Sequence, residues 1–139
     1  MVDEVRVLRL LRSVADGVGR LRAESGAVAA RRADPMWLPG VKYTFVTAIE
    51  ACVDVAQHLC SSEGWGPPAD NGDALRLLAR HGVLDVDHAR RMALAVGFRD
   101  VLVHEYVTVD DAVVLDRLRD LSDLDTFVAR MTAQVAAPS

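Results

Sequence analysis

The chain has 139 residues, 51% of them hydrophobic and 26% charged, a composition typical of one globular domain with a real core. No apolar run approaches the roughly 18 residues of a membrane span, and the acidic N-terminus is unlike a secretory signal, so we expect a single cytoplasmic domain over residues 1–139 with no membrane contact. The net charge of −4 repels nucleic acid, so any RNA contact must rely on a local cationic site. This counts against a high-affinity, sequence-reading nucleic-acid binder and much less against a nuclease that contacts one phosphate.

The first predicted helix covers residues 3–24. Its apolar residues recur at helical spacing, with arginines and acids between them, and they are Val5, Leu8, Leu11, Ala15 and Val18. We expect this helix to be scaffold. Residues 25–40 carry Asp34-Pro35 and Pro39-Gly40, which predict a connection.

The second long helix is predicted over residues 41–61, with an apolar stripe that should run through the core of the bundle. Its opposite edge carries Glu50, Asp54 and His58 at i, i+4 and i+8, a spacing that would suit a metal ion. No second pair of ligands occurs elsewhere, so we predict no metal site. The preferred interpretation is that Glu50 or Asp54 forms a charge-assisted pair with Arg99 and orients it.

Two more segments complete the central part of the chain. Residues 61–72 are rich in Gly, Pro and Ser and predict a loop, in which Trp65 either stacks on a base or fastens the loop to the bundle. A short helix follows, and Gly82 is expected to end it in the left-handed conformation. Cys52 and Cys60 lie about 12 Å apart along one helix, too far for a disulfide, so buried thiols are expected.

The last two predicted helices run from Asp85, a good N-cap, to about residue 107, and from Asp111 to about residue 135. The tail from residue 136 should be frayed. No strand-like alternation of useful length occurs. The pattern therefore predicts an all-α, up-and-down bundle of four long helices and one short helix.

Polar side chains with phosphate chemistry are concentrated near the end of the helix that begins at Asp85. Arg99 supplies a permanent planar cation that binds phosphate with two parallel hydrogen bonds. His104 has the one side chain whose ordinary pKa permits proton exchange near neutral pH. Asp100 precedes His104 by four residues and could hold the imidazole in one tautomer. These residues form a minimal set for cleaving a phosphodiester without a metal ion.

One straight helix does not aim both side chains at the same atom, because Arg99 and His104 are separated by about 140° around the axis. A helix end that unwinds near Tyr106 could bring them together. A two-fold partner that supplies a second Arg99 and His104 could do the same. Gly97, which costs a helix about 1 kcal/mol relative to alanine, suggests a close backbone contact or a bend and fits a dimer interface.

The sequence resembles the HepT-like toxins of the HEPN superfamily, whose signature is Arg-x-x-x-x-His-x-Tyr. Arg99, His104 and Tyr106 carry that signature here. The resemblance extends over roughly residues 40–130 and includes further blocks, namely Lys42-Tyr43, residues 48–58, Asp73-Ala74 with Leu77-Leu78, and residues 97–99.

The resemblance implies a homodimeric RNA endonuclease, the toxin of a type VII-like toxin–antitoxin system, with Arg99 and His104 as catalytic residues. It implies no cofactor for cleavage, and tRNA and mRNA are both candidate substrates. Relatives are neutralised by a minimal nucleotidyltransferase antitoxin of the MntA type, which transfers AMP from ATP to the signature tyrosine, here Tyr106.

A non-catalytic function remains open on the residues alone. A helical module that binds a nucleotide or a nucleotidyltransferase, and serves only as its substrate, would carry the same pattern. An Arg-x-x-x-x-His-x-Tyr run also arises by chance on helix surfaces. A neighbouring nucleotidyltransferase gene and toxicity on expression would distinguish these cases.

Overall fold

The structure is a computed structural model that describes residues 1–104 and 110–137, and in these ranges it contains helices and no strands. The all-α prediction is confirmed. The helices are α1 (Glu4–Ser25), α2 (Ala29–Arg32), α3 (Trp37–Glu63), α4 (Asn71–Arg80), α5 (Val86–Val103), α6 (Asp111–Arg119) and α7 (Ser122–Ala136). None of the described helices is long and apolar enough to cross a membrane.

Helices α1 and α3 form an antiparallel pair that is fastened at both ends. At one end the backbone N–H of Asp3 donates to Nε2 of His58 at 3.0 Å, and at the other the indole N–H of Trp37 donates to Glu24 at 2.7 Å. Between them Gly17 faces Ala48, and a Cβ at Gly17 would lie only 3.2 Å from the Ala48 Cβ. The glycine therefore permits the close approach of the two helices.

The core is continuous through the bundle and includes side chains from α1 and α3 to α7. Its largest fully buried members are Phe127, Leu21, Ile49, Leu59, Leu75, Leu78, Met92 and Met131. Helix α3 also packs against α4 and α5, and α7 packs against α1 and α5. Burial raises the pKa of the Cys52 and Cys60 thiols, and both cysteines are free, as expected.

The start of α3 differs from the prediction. The stretch 25–40 contains the single-turn helix α2, and α3 begins at Trp37, four residues earlier than expected. Pro39 and Gly40 thus lie in the first turn of a helix, where a proline is tolerated because the first backbone N–H groups have no partner within the helix. The buried Trp37 holds this turn against α1.

The last predicted helix is divided into α6 and α7. The break lies at Asp120 and Leu121, where the Asp120 carboxylate accepts hydrogen bonds from the Ser122 backbone N–H at 3.0 Å and from the Ser122 hydroxyl at 2.6 Å. Such local side-chain bonds compete with helical backbone bonds. The apolar period continues across the break, which explains why the sequence pattern predicted one helix.

Candidate active site at the end of the fifth helix

Packing of α5 fixes the position of Arg99. The helix begins at Asp85, whose carboxylate accepts from the N–H groups of Asp87 and His88, as predicted. Phe98 is buried and meets Phe45 of α3 edge to face, with 5.5 Å between ring centroids. Because successive residues of a helix are about 100° apart, the next residue, Arg99, is directed to the outer edge of the α3–α5 contact.

Two carboxylates hold the Arg99 guanidinium at this edge. Its Nη1 lies 2.9 Å from Oδ1 of Asp100, and its Nη2 lies 3.3 Å from Oε2 of Glu50. The Asp100 hydrogen bond and the Glu50 ion pair raise the pKa of Arg99, against the opposing effect of partial burial. The Arg99 side chain is 22% exposed, so the guanidinium is fixed in place and still reaches solvent. Glu50 thus contacts Arg99, as the sequence interpretation requires.

Asp54 lies one turn beyond Glu50 on α3, and charged residues of both α1 and α5 affect its pKa. Burial and the nearby Glu50 raise the pKa of Asp54, while Arg6 of α1 and Arg99 of α5 act in the opposite direction. The charge of Arg6 therefore acts on a carboxylate of the site, although α1 was expected to be scaffold. Arg6 and Asp54 are 48 positions apart in the chain, which explains why no local pattern connects them.

His104 is the C-cap of α5. Its backbone has left the helix, with φ −86° and ψ 107°, while its N–H still donates to the carbonyl of Asp100 at 3.2 Å. The helix was predicted to continue to about residue 107, so it ends earlier than expected. The change of direction occurs at the exposed His104 itself. The angular mismatch calculated for a straight helix thus no longer determines where the imidazole points.

Three further residues were predicted to belong to the site or its surroundings, namely Asp100, Tyr106 and Gly97. The Asp100 carboxylate bonds to Arg99, and its hold on the His104 imidazole stays a prediction. Tyr106 lies outside the described residues. A cleft of about 310 Å³ between α4 and α5 reaches Asp100 and passes over Gly97.

The remaining histidines make structural contacts away from Arg99. His58 accepts a hydrogen bond at the start of α1, and His81 stacks on Trp65 with ring centroids 4.3 Å apart, so Trp65 fastens its loop to the bundle. His88 is buried, with Nε2 2.9 Å from the Asp123 carbonyl oxygen. Within the described ranges, no group of three or more His, Cys, Asp or Glu side chains is placed to hold a metal ion.

Known proteins are similar to this chain in sequence and in fold. The family model described as "Ribonuclease HepT-like" matches residues 11–131. The mRNA nuclease HepT of Shewanella oneidensis is 29% identical over 86 residues, 61% of this chain and 65% of that protein, so the match spans just under two thirds of this relative. A putative RNase of Archaeoglobus fulgidus is 30% identical over 90 residues, 65% of this chain and 67% of that protein.

Among solved structures, the tri-AMPylated Shewanella oneidensis HEPN toxin in complex with MNT antitoxin has a similar fold. The TM-score is 0.85 at 21% identity, covering 96% of this chain and 99% of the toxin. At this identity the similarity establishes the fold, whereas the family match over residues 11–131 establishes the relationship. This chain belongs to the HepT-like ribonuclease family.

Proposed function

We propose that the chain is a metal-independent RNA endonuclease and the toxin of a type VII-like toxin–antitoxin system. The observation that supports it best is the Arg99 guanidinium, which two carboxylates hold at the solvent edge of α5, one turn before His104. Membership of a family of HepT-like ribonucleases supports the same conclusion.

In the proposed reaction, His104 takes the proton of the ribose 2′-hydroxyl, whose oxygen attacks the adjacent phosphorus, or gives a proton to the leaving 5′-oxygen. Arg99 binds the phosphate and stabilises the charge that develops on its non-bridging oxygens. A preorganised cation is most effective when its position is fixed before the substrate arrives. Glu50 provides that orientation, with Asp100 and Asp54 as supporting carboxylates.

The phosphate competes with carboxylates for Arg99. Both terminal nitrogens of the guanidinium are engaged, by Asp100 and by Glu50, and both carboxylates are roughly half exposed. Exposed ion pairs contribute little free energy, so a phosphate can replace one of them at small cost. We infer that one pair opens when RNA binds and the other keeps the guanidinium in place.

Control of the nuclease is proposed to act on Tyr106. A minimal nucleotidyltransferase of the MntA type would transfer AMP from ATP to its hydroxyl and so block the phosphate site. The tri-AMPylated state of the Shewanella oneidensis toxin, in complex with MNT antitoxin, supports this proposal. The tyrosine of the family signature is present in this chain.

A homodimer is proposed to complete the site, with α5 at the two-fold interface. Leu94, Gly97 and Val101 lie on one exposed face of α5, at i, i+3 and i+7. No described atom apart from the immediate chain neighbours and the backbone of α5 lies within 4 Å of a Cβ built on Gly97, so packing among the described residues does not explain the glycine. A second copy would bring two Arg99–His104 pairs close together.

Substitution of Gly97 by alanine tests this interface. Alanine should stabilise α5 by about 1 kcal/mol in the protomer and at the same time weaken the dimer several-fold, because the added methyl group separates the two helices. Gly19→Ala in α1 is the matched control, since its Cβ also enters open space. Light scattering over a dilution series and thermal unfolding measure the two effects. A Gly97→Ala protein that dimerises as tightly as the wild type would place the interface elsewhere.

The function itself is tested with purified protein, short single-stranded RNA and excess EDTA. We expect cleavage to proceed, with 2′,3′-cyclic phosphate ends, because the proposed attacking oxygen belongs to the substrate. Cleavage that stops in EDTA and returns with a divalent cation would contradict the metal-independent mechanism. A folded, unmodified protein that cleaves no RNA and still accepts AMP from a nucleotidyltransferase would instead be the non-catalytic module.

A further inference from the structure

A continuous polar strip runs along the outer face of α3, and Arg99 of α5 contacts it near its middle. Tyr43, Thr47, Glu50 and Asp54 follow one another at i, i+4, i+7 and i+11, within about 60° around the helix. The strip is about 16 Å long at 1.5 Å per residue, and Arg99 contacts it at Glu50. We call it the α3 strip.

One end of the α3 strip presents an aromatic ring to solvent. Tyr43 is 70% exposed, the most exposed aromatic side chain of the described residues, and lies about 10 Å from Glu50 along the helix axis. Its neighbours Val41 and Phe45 are buried, so the core does not require the phenol. Exposed aromatic rings are the usual platforms on which unpaired RNA bases stack.

The other end of the α3 strip lies near two arginines at the start of α1. The backbone N–H of Asp3 donates to His58, one turn beyond Asp54, and so holds the start of α1 at this end of α3. The charge of Arg6 opposes the raised pKa of Asp54, as that of Arg99 does. Arg6 and Arg9, together with Asp3, line an open cleft of about 430 Å³ at the start of α1. Within the described part of the chain neither arginine forms a salt bridge, whereas Arg99 is held by two carboxylates. A chain with a net charge of −4 needs such a local cationic surface to hold a polyanion.

We propose that the α3 strip is the binding track for single-stranded RNA, with a base stacked on Tyr43, the scissile phosphate on Arg99 and a second phosphate on Arg6. This inference rests on the proposed ribonuclease function and adds to it two substrate-binding residues outside the family signature, Tyr43 and Arg6. A single strand is required because the bases of a duplex are not free to stack on an exposed side chain. Glu50 and Asp54 lie on the same strip, so affinity is expected to be modest.

The test measures binding and cleavage of a short single-stranded RNA at several salt concentrations. In a His104→Ala background, Tyr43→Ala should weaken binding about five-fold or more without changing the salt dependence, and Tyr43→Phe should retain affinity. Arg6→Ala should weaken binding and lower the slope of log Kd against log salt by about 0.7, the value for one phosphate contact on a single strand. Arg130→Ala in α7, which also removes an exposed arginine, is the matched control.

Four results would overturn the proposal. If wild-type protein cleaves the RNA but the Tyr43→Ala and Arg6→Ala variants bind like the Arg130→Ala control, the track is wrong and the nuclease function stands. If duplex RNA is bound and cleaved as well as the single strand, the substrate class is wrong. If Tyr43→Ala alters the oligomeric state in light scattering, the strip is a protein interface. Failure of wild-type protein to bind or cleave any RNA would remove the proposed function together with the track.

Discussion

Alanine at Arg99 or at His104 should lower the rate of RNA cleavage by at least about two orders of magnitude while leaving the fold intact. Loss of one preorganised group that stabilises transition-state charge costs about 10²–10³ in kcat, and loss of a general acid or base costs a similar factor. Neither side chain belongs to the core. Arg99 lies at the solvent edge of α5, and His104 is exposed at its end.

The Arg99→Lys substitution distinguishes the effect of the positive charge from the effect of the guanidinium geometry. A lysine retains the cation but cannot form two parallel hydrogen bonds to a phosphate, nor bridge Glu50 and Asp100 as the guanidinium does. We expect Arg99→Lys to remain strongly impaired, with kcat affected more than KM. Single-turnover cleavage and toxicity on expression measure activity, and circular dichroism measures folding.

The choice of histidine controls follows from the structure. His81→Ala should retain activity, because His81 is an exposed residue at the end of α4 and stacks on Trp65. His88 is unsuitable, since it is buried and bonds to the Asp123 carbonyl, so its loss would act through stability. If His58→Ala abolishes activity and His104→Ala does not, the site belongs to the Glu50, Asp54 and His58 edge of α3.

Periodicity and capping predicted most of the fold because they are local. The α3 stripe, the Asp85 cap and the left-handed Gly82 each depend on residues within a turn or two, and the structure confirms them. The predicted stripe of α1 is partly wrong, because Leu11 and Val18 are buried whereas Val5, Leu8 and Ala15 are exposed. The break at Asp120 was missed, since a carboxylate that bonds to Ser122 interrupts a helix without disturbing its apolar period. The early end of α5 was missed for a similar reason, because no glycine or proline marks Val103.

The candidate site was only partly predictable because it joins three helices. The contact between Arg99 and Glu50 was inferred because both residues carry charges that need partners at predicted helix edges. The effect of Arg6 on the pKa of Asp54 depends on the packing of α1 against α3, which no local pattern shows. Tyr43 was noticed only as part of the family resemblance, and its exposure became evident from the structure.

Tyr106→Phe should produce a toxin that its antitoxin cannot silence. Tyr106 follows His104 by only two residues in the sequence, and consecutive Cα atoms of a chain are 3.8 Å apart. An AMP group on the phenol therefore carries a negative phosphate into the neighbourhood of Arg99, where it would compete with the RNA phosphate. Phenylalanine lacks the oxygen that accepts AMP and keeps the ring, so the variant should remain folded and cleave RNA.

The measurement is co-expression of the chain with a minimal nucleotidyltransferase of the MntA type, followed by intact-mass spectrometry and an RNA cleavage assay. Wild-type protein should gain AMP-sized mass increments and lose activity, whereas Tyr106→Phe should gain none and remain toxic. Tyr43→Phe is the matched control, because it removes the hydroxyl of the chain's other tyrosine, and it should be modified and silenced like the wild type. If the partner silences Tyr106→Phe as completely as wild type with no change in mass, inhibition arises from physical masking of the Arg99 site, and modification of Tyr106 is not the control mechanism.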